Sequence, residues 1–313
     1  MSDCPNNFFI VYAAWHDFGL VCRKTLHLSP NDTPGDHQHC DFYELVLVVS
    51  GNGRHRTNDR ECEIQSGNVF LVPPNQVHCY TKYDNLLIYN LLFTQQFLML
   101  MLQDLSQLPG FQLLFNLSTQ TAALEGANNL RIDSDAFPDV VCLLEEMDKL
   151  KDSMQPGDKT LLLSKFARVM YLLARYTHWG CCNCRINSIE QLSKLLCELQ
   201  KNYSASWSLE KMARFCNMGI SSFRQNFRKF TKSSPIEYLL RLRINQAAIL
   251  LKTSSDLLTR IAFACGFTDI NYFSRQFKKY YNILPSQYRK ISRSSNLDQP
   301  NGNTAELLYL PKA

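Results

Sequence analysis

The rhythm of apolar residues changes twice along the chain, and each change marks a different kind of element. Between Asp41 and Phe93 they gather in short strand-like runs, Glu44–Val49, Asn68–Val72 and Leu86–Phe93, set apart by Gly51-Asn-Gly53, Gly67 and Pro73-Pro74. Short strands with such turns predict a small antiparallel barrel. Residues 95–178 are richer in Leu, Met and Gln, and apolar stripes appear at helical spacing. One runs through Val140, Leu143, Leu144, Met147 and Leu150; a second, through Leu162, Phe166, Val169, Met170 and Leu173, spans Lys159 to about His178. Such helices either cover the open side of a barrel or pair two copies of the chain, and both roles are compatible.

Beyond residue 185 the helical pattern repeats itself. Phe223-Arg-Gln-Asn-Phe227-Arg-Lys-Phe230, continuing through Pro235 to Tyr238, aligns with Phe273-Ser-Arg-Gln-Phe277-Lys-Lys-Tyr280, continuing through Pro285 to Tyr288, at a spacing of fifty. Leu209 to Ala213 aligns with Leu258 to Ala262 at forty-nine. Two copies of one supersecondary unit are therefore expected. In the second copy a short helix through Leu258, Ile261, Ala262 and Ala264 stops at Gly266, and Thr268 stands where an N-cap belongs, with Asp269 in the first turn. Tyr272, Phe273, Gln276, Phe277 and Tyr280 then form the inward face of the next helix, and Asn271, Arg275, Lys278 and Lys279 the outward one. In the first copy Phe223, Phe227 and Phe230 face inward while Ser221, Arg224, Gln225 and Arg228 face out. Short helix, tight turn and polar second helix make a helix-turn-helix, whose second helix suits the major groove. Between the copies, Ile236–Leu251 predicts a connecting helix about 24 Å long at 1.5 Å per residue.

Charge separates the same two regions. At 313 residues the chain exceeds what one core usually organises. Its formal charge of +5 conceals an asymmetry: residues 185–293 carry 19 Lys/Arg against 6 Asp/Glu, a net of +13, and the remainder carries a net of −8. A module this basic is built to face a polyanion. With 45% hydrophobic and 19% charged residues a mainly disordered chain is excluded. No apolar run approaches a membrane span; the richest is Phe97 to Leu102. The first residues have no basic segment ahead of an apolar one, so a cytoplasmic protein with reduced thiols is expected. Cys181, Cys182 and Cys184 lie in the stretch 181–190, best read as a linker; zinc there would want a second ligand pair, and no histidine follows His178. Residues 294–313 read as a loose tail.

These residues carry a resemblance. Cys265-Gly-Phe-Thr-Asp-Ile-Asn-Tyr-Phe-Ser-Arg-Gln-Phe-Lys-Lys, followed by Leu284-Pro-Ser-Gln-Tyr-Arg289, resembles the signature of AraC/XylS-type transcription regulators over about residues 188–290. The resemblance implies a chain that reads two adjacent major-groove segments of promoter DNA, usually as an activator touching RNA polymerase. By position it implies base contacts from Ser221, Arg224 and Gln225 and from Asp269, Asn271 and Arg275. Arg228, Lys278 and Lys279 suit phosphate. Gly219 stands where relatives place a capping Ser or Thr.

In the N-terminal half, His37-x-His39-x₄-Glu44 with His78 after Pro73 resembles the two motifs of the cupin barrel. Metal-binding cupins bring these positions together, and three imidazoles with a carboxylate suit Fe, Mn, Ni or Zn. The family's sensors commonly keep the motif without metal, and Asn75 replaces an expected Gly. His37, His39, Glu44 and His78 are therefore taken as lining an effector pocket, with a metal site and plain packing as alternatives. Asp41-Phe-Tyr-Glu-Leu-Val, Asp84-Asn-Leu-Leu and Asp269-Ile-Asn-Tyr-Phe-Ser are most similar to the rhamnose-responsive branch. The fold expected is α+β: a cupin-like β-barrel with a helical appendage over residues 1–180, then an all-α domain over 191–293 of two helix-turn-helix units joined by a long helix. The function expected is a homodimeric, non-enzymatic, sequence-specific regulator without cofactor, controlled by a sugar; the alternative is a metal-dependent cupin enzyme fused to a DNA-binding module.

Overall fold

The computed structural model describes residues 18–28, 35–57, 60–118, 130–150, 154–179 and 186–294. The chain divides into two units between Ile186 and Asn187. In the first, β1 (Leu20–His27), β2 (Phe42–Thr57), β3 (Arg60–Gln65), β4 (Val69–Val72) and β5 (His78–Thr94) form an antiparallel sheet in the order β1-β5-β2-β3, with β4 also on β2. The strands β2 and β5 run well past the apolar segments that announced them, because their second halves are half-buried and alternate. In β2, Gly53, His55 and Thr57 are buried, while Asn52, Arg54 and Arg56 are more open.

Register shifts between Val48 and His55 bend β2 against β5. Gly51 sits within this bend at φ 77°, where a Cβ would lie 2.1 Å from the Asn85 carbonyl oxygen, so only glycine fits. On one side of the bend β2 pairs β4, from Glu44↔Val72 to Leu47↔Val69; on the other it pairs β3, from Asn52↔Gln65 to Thr57↔Arg60. One edge of β2 thus serves two partners while β5 takes the other, and the sheet curls into the expected cupin-like form.

The remaining helices of this unit are α1 (Gln95–Leu105), α2 (Pro109–Ser118), α3 (Phe137–Leu150) and α4 (Asp158–Tyr176). Helix α3 buries Val140, Leu143, Leu144 and Met147, and it is tied to β1 where the Lys24 N–H donates to Asp148 Oδ1 at 2.9 Å. The Phe166 ring of α4 packs 5.1 Å from that of Phe93. Both apolar stripes therefore cover the sheet, each fully buried side chain worth about 1.5–3 kcal/mol. Helix α4 stops before His178, because Thr177 turns extended and Thr177–Trp179 (β7) pairs Leu130–Ile132 (β6).

The second unit is all helix: α5 (Ile186–Lys201), α6 (Leu209–Phe215), α7 (Ile220–Thr231), α8 (Pro235–Thr253), α9 (Leu258–Ala264), α10 (Ile270–Tyr281) and α11 (Pro285–Ser294). Helix α5 begins inside the stretch expected to be a linker; Cys181, Cys182 and Cys184 lie outside the described residues, as does the tail beyond Ser294. The duplication extends to the backbone. Asn217 and Gly266 take positive φ after α6 and α9, and Lys232 and Asn282 do so after α7 and α10. Ser234 caps α8, its hydroxyl accepting from the Glu237 N–H, with Pro235 in the first turn. Buried Ile244, Ala247, Ala248 and Leu251 of α8 meet Ile261, Ala262, Phe273 and Phe277 of the second copy in one core. At 19 residues, α8 is about 28 Å long. No disulfide links the described cysteines, and no helix among the described residues is long and apolar enough to cross a membrane.

Candidate functional site

The reading helices arise from one rule of spacing. In α7, Phe223, Phe227 and Phe230 are buried, which turns Ser221, Ser222, Arg224, Gln225, Arg228 and Lys229 to solvent. In α10, Phe273 and Phe277 are buried and Asn271, Tyr272, Arg275, Lys278 and Lys279 are exposed. In each helix the cations of the last turn follow an exposed polar stripe, so uncharged and cationic groups fall to different ends of one face.

Two expectations change here. Asp269, not Thr268, is the N-cap of α10: its Oδ1 accepts from the Asn271 N–H at 2.8 Å. Its carboxylate is thus engaged with the helix start, while Asn271 and Arg275 are exposed to solvent. Tyr272, expected inward, is 40% exposed beside Asn271. Strict 3.6-residue spacing from Phe273 and Phe277 places it outward. Gly219 begins α7 with no side-chain cap.

Inside the barrel the four residues singled out by motif do converge. His37 and His39 precede β2, Glu44 is on it, and His78 opens β5; one donor atom from each lies within 4.8 Å of the others. His39 Nε2 is 2.7 Å from Glu44 Oε2, and His78 Nε2 is 3.0 Å from His39 Nε2 and 3.3 Å from Glu44 Oε2. Their loop is fastened by paired backbone bonds between His37 and His78. Burial lowers the pKa of His37 and lowers that of His78 well below the usual imidazole range, which favours neutral rings. Burial alone would raise the Glu44 carboxyl, but the hydrogen bond from His39 and the neighbouring imidazoles hold it at about 2. Three of these donors are within hydrogen-bond reach of one another. The donor set does fit an ion.

His55 joins the group, its Nε2 3.2 Å from His78 Nδ1. Sequence reasoning missed it because the second half of β2 was not read as strand; the alternation Gly53, His55, Thr57 was the available signal. The Tyr80 ring lies 5.2 Å from that of His55, and its buried hydroxyl has no hydrogen-bond partner among the described residues.

A separate concavity of about 610 Å³ opens on this unit, its lining including Asn52, Arg54, Glu63, Lys82, Asp84 and Arg131. Cross-strand register builds it: Glu63 and Lys82 flank Arg54, and Gln65 and Asp84 flank Asn52. Nothing in its spacing is a motif, and only the pairing of β2, β3 and β5 assembles it.

Residues 21–163 match the AraC-like ligand binding domain, and residues 212–291 match a helix-turn-helix domain family. The HTH-type transcriptional activator RhaR of Enterobacter sp. (strain 638) is 31% identical over 269 residues, covering 85% of this chain and 90% of that protein. The chain belongs to the AraC family of transcription regulators. RhaR of Escherichia coli (strain K12) is 28% identical over 84% of this AraC-family chain and 89% of its own. Among solved structures, the DNA-binding domain of AdpA in complex with a target DNA is similar over 35% of this chain and 98% of that one, at 25% identity and a TM-score of 0.34. The two family matches give the regulator a ligand-binding domain followed by a helix-turn-helix domain.

Proposed function

We propose that this regulator is an activator that reads promoter DNA with both α7 and α10 as a cytoplasmic homodimer, and that a sugar changes its occupancy and its contact with RNA polymerase. The observation that carries this is the matched pair of exposed stripes, Ser221/Arg224/Gln225 and Asn271/Arg275, each ending in cations and each backed by buried phenylalanines. The similarity to proteins named transcriptional activators supports the sign of regulation.

The sugar takes the 610 Å³ concavity rather than the histidine cluster, since that volume falls within the range of small-molecule sites and its amides and charges suit hydroxyls. Rhamnose is the first sugar to test. The reading assigns the barrel no catalytic step: it senses by binding one arrangement of the regulator better than another.

Two substitutions in α10 separate base reading from phosphate contact. Asn271→Ala is expected to lose about 1–3 kcal/mol at one base pair and relax preference there. Lys278→Ala is expected to weaken all duplexes alike and reduce the salt slope by about one. Equal weakening of every sequence by both variants, read by binding titration on a panel of point-changed sites, would refute this orientation of α10.

For the effector, rhamnose is expected to raise the melting temperature of the full chain, and Asp84→Ala to weaken it by about 1.5–3 kcal/mol through loss of a charged acceptor. A sugar that binds Asp84→Ala and the unaltered chain equally well would move the effector out of this concavity.

A further inference from the structure

The concavity assigned above to the sugar shares its rim with the strand pair that closes the ligand-binding unit. We propose that β6 and β7 relay its occupancy to the tether leading into α5, with Arg131 as the positioning residue that joins site to strands. The direction of the relay rests on the sugar reading; the joint itself does not.

Residues 65–68 turn the chain from β3 into β4. Gly67 stands there at φ 85°, and a Cβ on it would lie 3.3 Å from Arg131 Nη2. The turn is fastened to β2: the Gly67 N–H donates to the Val48 carbonyl and the Val48 N–H to the Asn68 carbonyl, each at 2.9 Å. It also holds β6. The Ile132 N–H donates to the Gly67 carbonyl at 3.1 Å, Asn68 Nδ2 to the Leu130 carbonyl at 3.3 Å and Arg131 Nη2 to the Ser66 carbonyl at 2.8 Å. Gln65, Asn68 and Arg131 line the concavity as well, so a ligand that engages them grips the dock of β6. A guanidinium carries five donors, more than the Ser66 carbonyl uses, and sugar hydroxyls accept from such groups.

Strand β6 in turn holds β7. Leu130↔Trp179, Arg131↔His178 and Ile132↔Thr177 pair antiparallel, and just beyond them the Asp133 N–H donates to the Tyr176 carbonyl at 2.9 Å. Thr177 and Trp179 are buried, while His178 is exposed and meets Asp133 Oδ1 at 2.8 Å. Two strands of three residues are too short to be stable alone, so the pairing of β7 depends on what anchors β6.

Six residues, 180–185, follow Trp179 before α5 begins at Ile186. Six residues reach at most about 21 Å, and nine, once β7 unpairs, reach about 32 Å. Tether length sets the effective concentration at which a linked module meets a second site. Occupancy that secures β7 therefore changes how the DNA unit is presented without adding a contact to DNA. The ligand achieves this only by binding the paired arrangement better than the unpaired one.

Hydrogen exchange of the full chain, read by mass spectrometry on peptides covering residues 130–133 and 177–179, tests the relay. Arg131→Ala, measured without sugar, is expected to speed exchange at 177–179 about tenfold and to leave β5 unchanged. Exchange at 177–179 unaltered by that substitution would overturn the joint, whatever the effector is. Saturating rhamnose is expected to slow exchange in both segments of the unaltered chain about tenfold, and to bind Arg131→Ala without slowing it at 177–179. His178→Pro cannot complete the β7 ladder and lies outside the concavity. It should bind rhamnose within about threefold of the unaltered chain, by calorimetry, yet lose the sugar's effect on affinity for a selected duplex. His178→Ala keeps the backbone donor and should retain that effect, which separates the strand from the ion pair with Asp133. Rhamnose binding that leaves both segments unprotected, normal protection of Arg131→Ala by sugar, or His178→Pro responding fully to sugar on DNA would overturn the relay. A chain that binds no rhamnose refutes the sugar reading alone, because the sugar-free Arg131→Ala result then decides the joint.

Discussion

Phe277→Ala is expected to cost about 3–5 kcal/mol and to abolish sequence-specific binding at 37 °C. The side chain is fully buried in α10, 4.6 Å from the Tyr281 ring in a stacked pair and 5.4 Å from that of Tyr288. It shares a core with Ile244, Ala248, Leu251 and Ile261, so its removal opens a cavity between the reading helix and α8. A domain with about 5–15 kcal/mol in hand does not absorb such a loss unnoticed. Phe263→Ala is the comparison, because that ring is 58% exposed and should change stability by no more than about 0.5 kcal/mol. Thermal unfolding of both variants checks the contrast; equal melting temperatures would mean that α10 is not anchored as described.

Gly266→Ala is expected to destabilise the same unit by about 2–4 kcal/mol, although it adds a single methyl group. Gly266 has φ 82°, a conformation that costs an L-residue about 1–2 kcal/mol. The added Cβ would also stand 2.7 Å from the Ser204 carbonyl oxygen and 3.0 Å from Arg243 Cζ. Neither neighbour yields easily: one is backbone, and the guanidinium is pinned by hydrogen bonds to the Tyr203 and Ala205 carbonyls, each 2.8 Å. Gly219→Ser supplies the opposite sign. Its position has φ −67° and nothing within 4 Å of a new Cβ, and a serine there can cap α7. A gain of a few tenths of a kcal/mol is expected. Denaturant titration of the pair tests whether backbone conformation, rather than composition, fixes the turn before α10.

The helical unit was the more legible half of the sequence because duplicated phenylalanines at spacings of three and four leave little freedom in which face is buried. Its errors were local. Thr268 and Asp269 are both good caps, and only backbone geometry shows which carboxylate or hydroxyl meets the Asn271 N–H. The barrel was legible where strands are apolar and illegible where they are polar. Leu20–His27 interleaves Arg23 and Lys24, and Arg60–Gln65 is mostly charged or polar, as suits strands at the sheet's edges. Missing β3 and the second half of β2 concealed both His55 and the concavity beside Arg54. The four motif donors are legible from spacing, but their contact distances exist only in the fold.

The central claim is that this chain is a sequence-specific DNA reader whose occupancy is set by a small molecule. Competition binding of the full chain tests it most directly: duplexes selected from a random pool are challenged with random duplex at physiological salt, with and without rhamnose. A preference of at least about 10³ for selected over random DNA, shifted by the sugar, is expected. Equal affinity for both duplexes, unchanged by sugar, would contradict it.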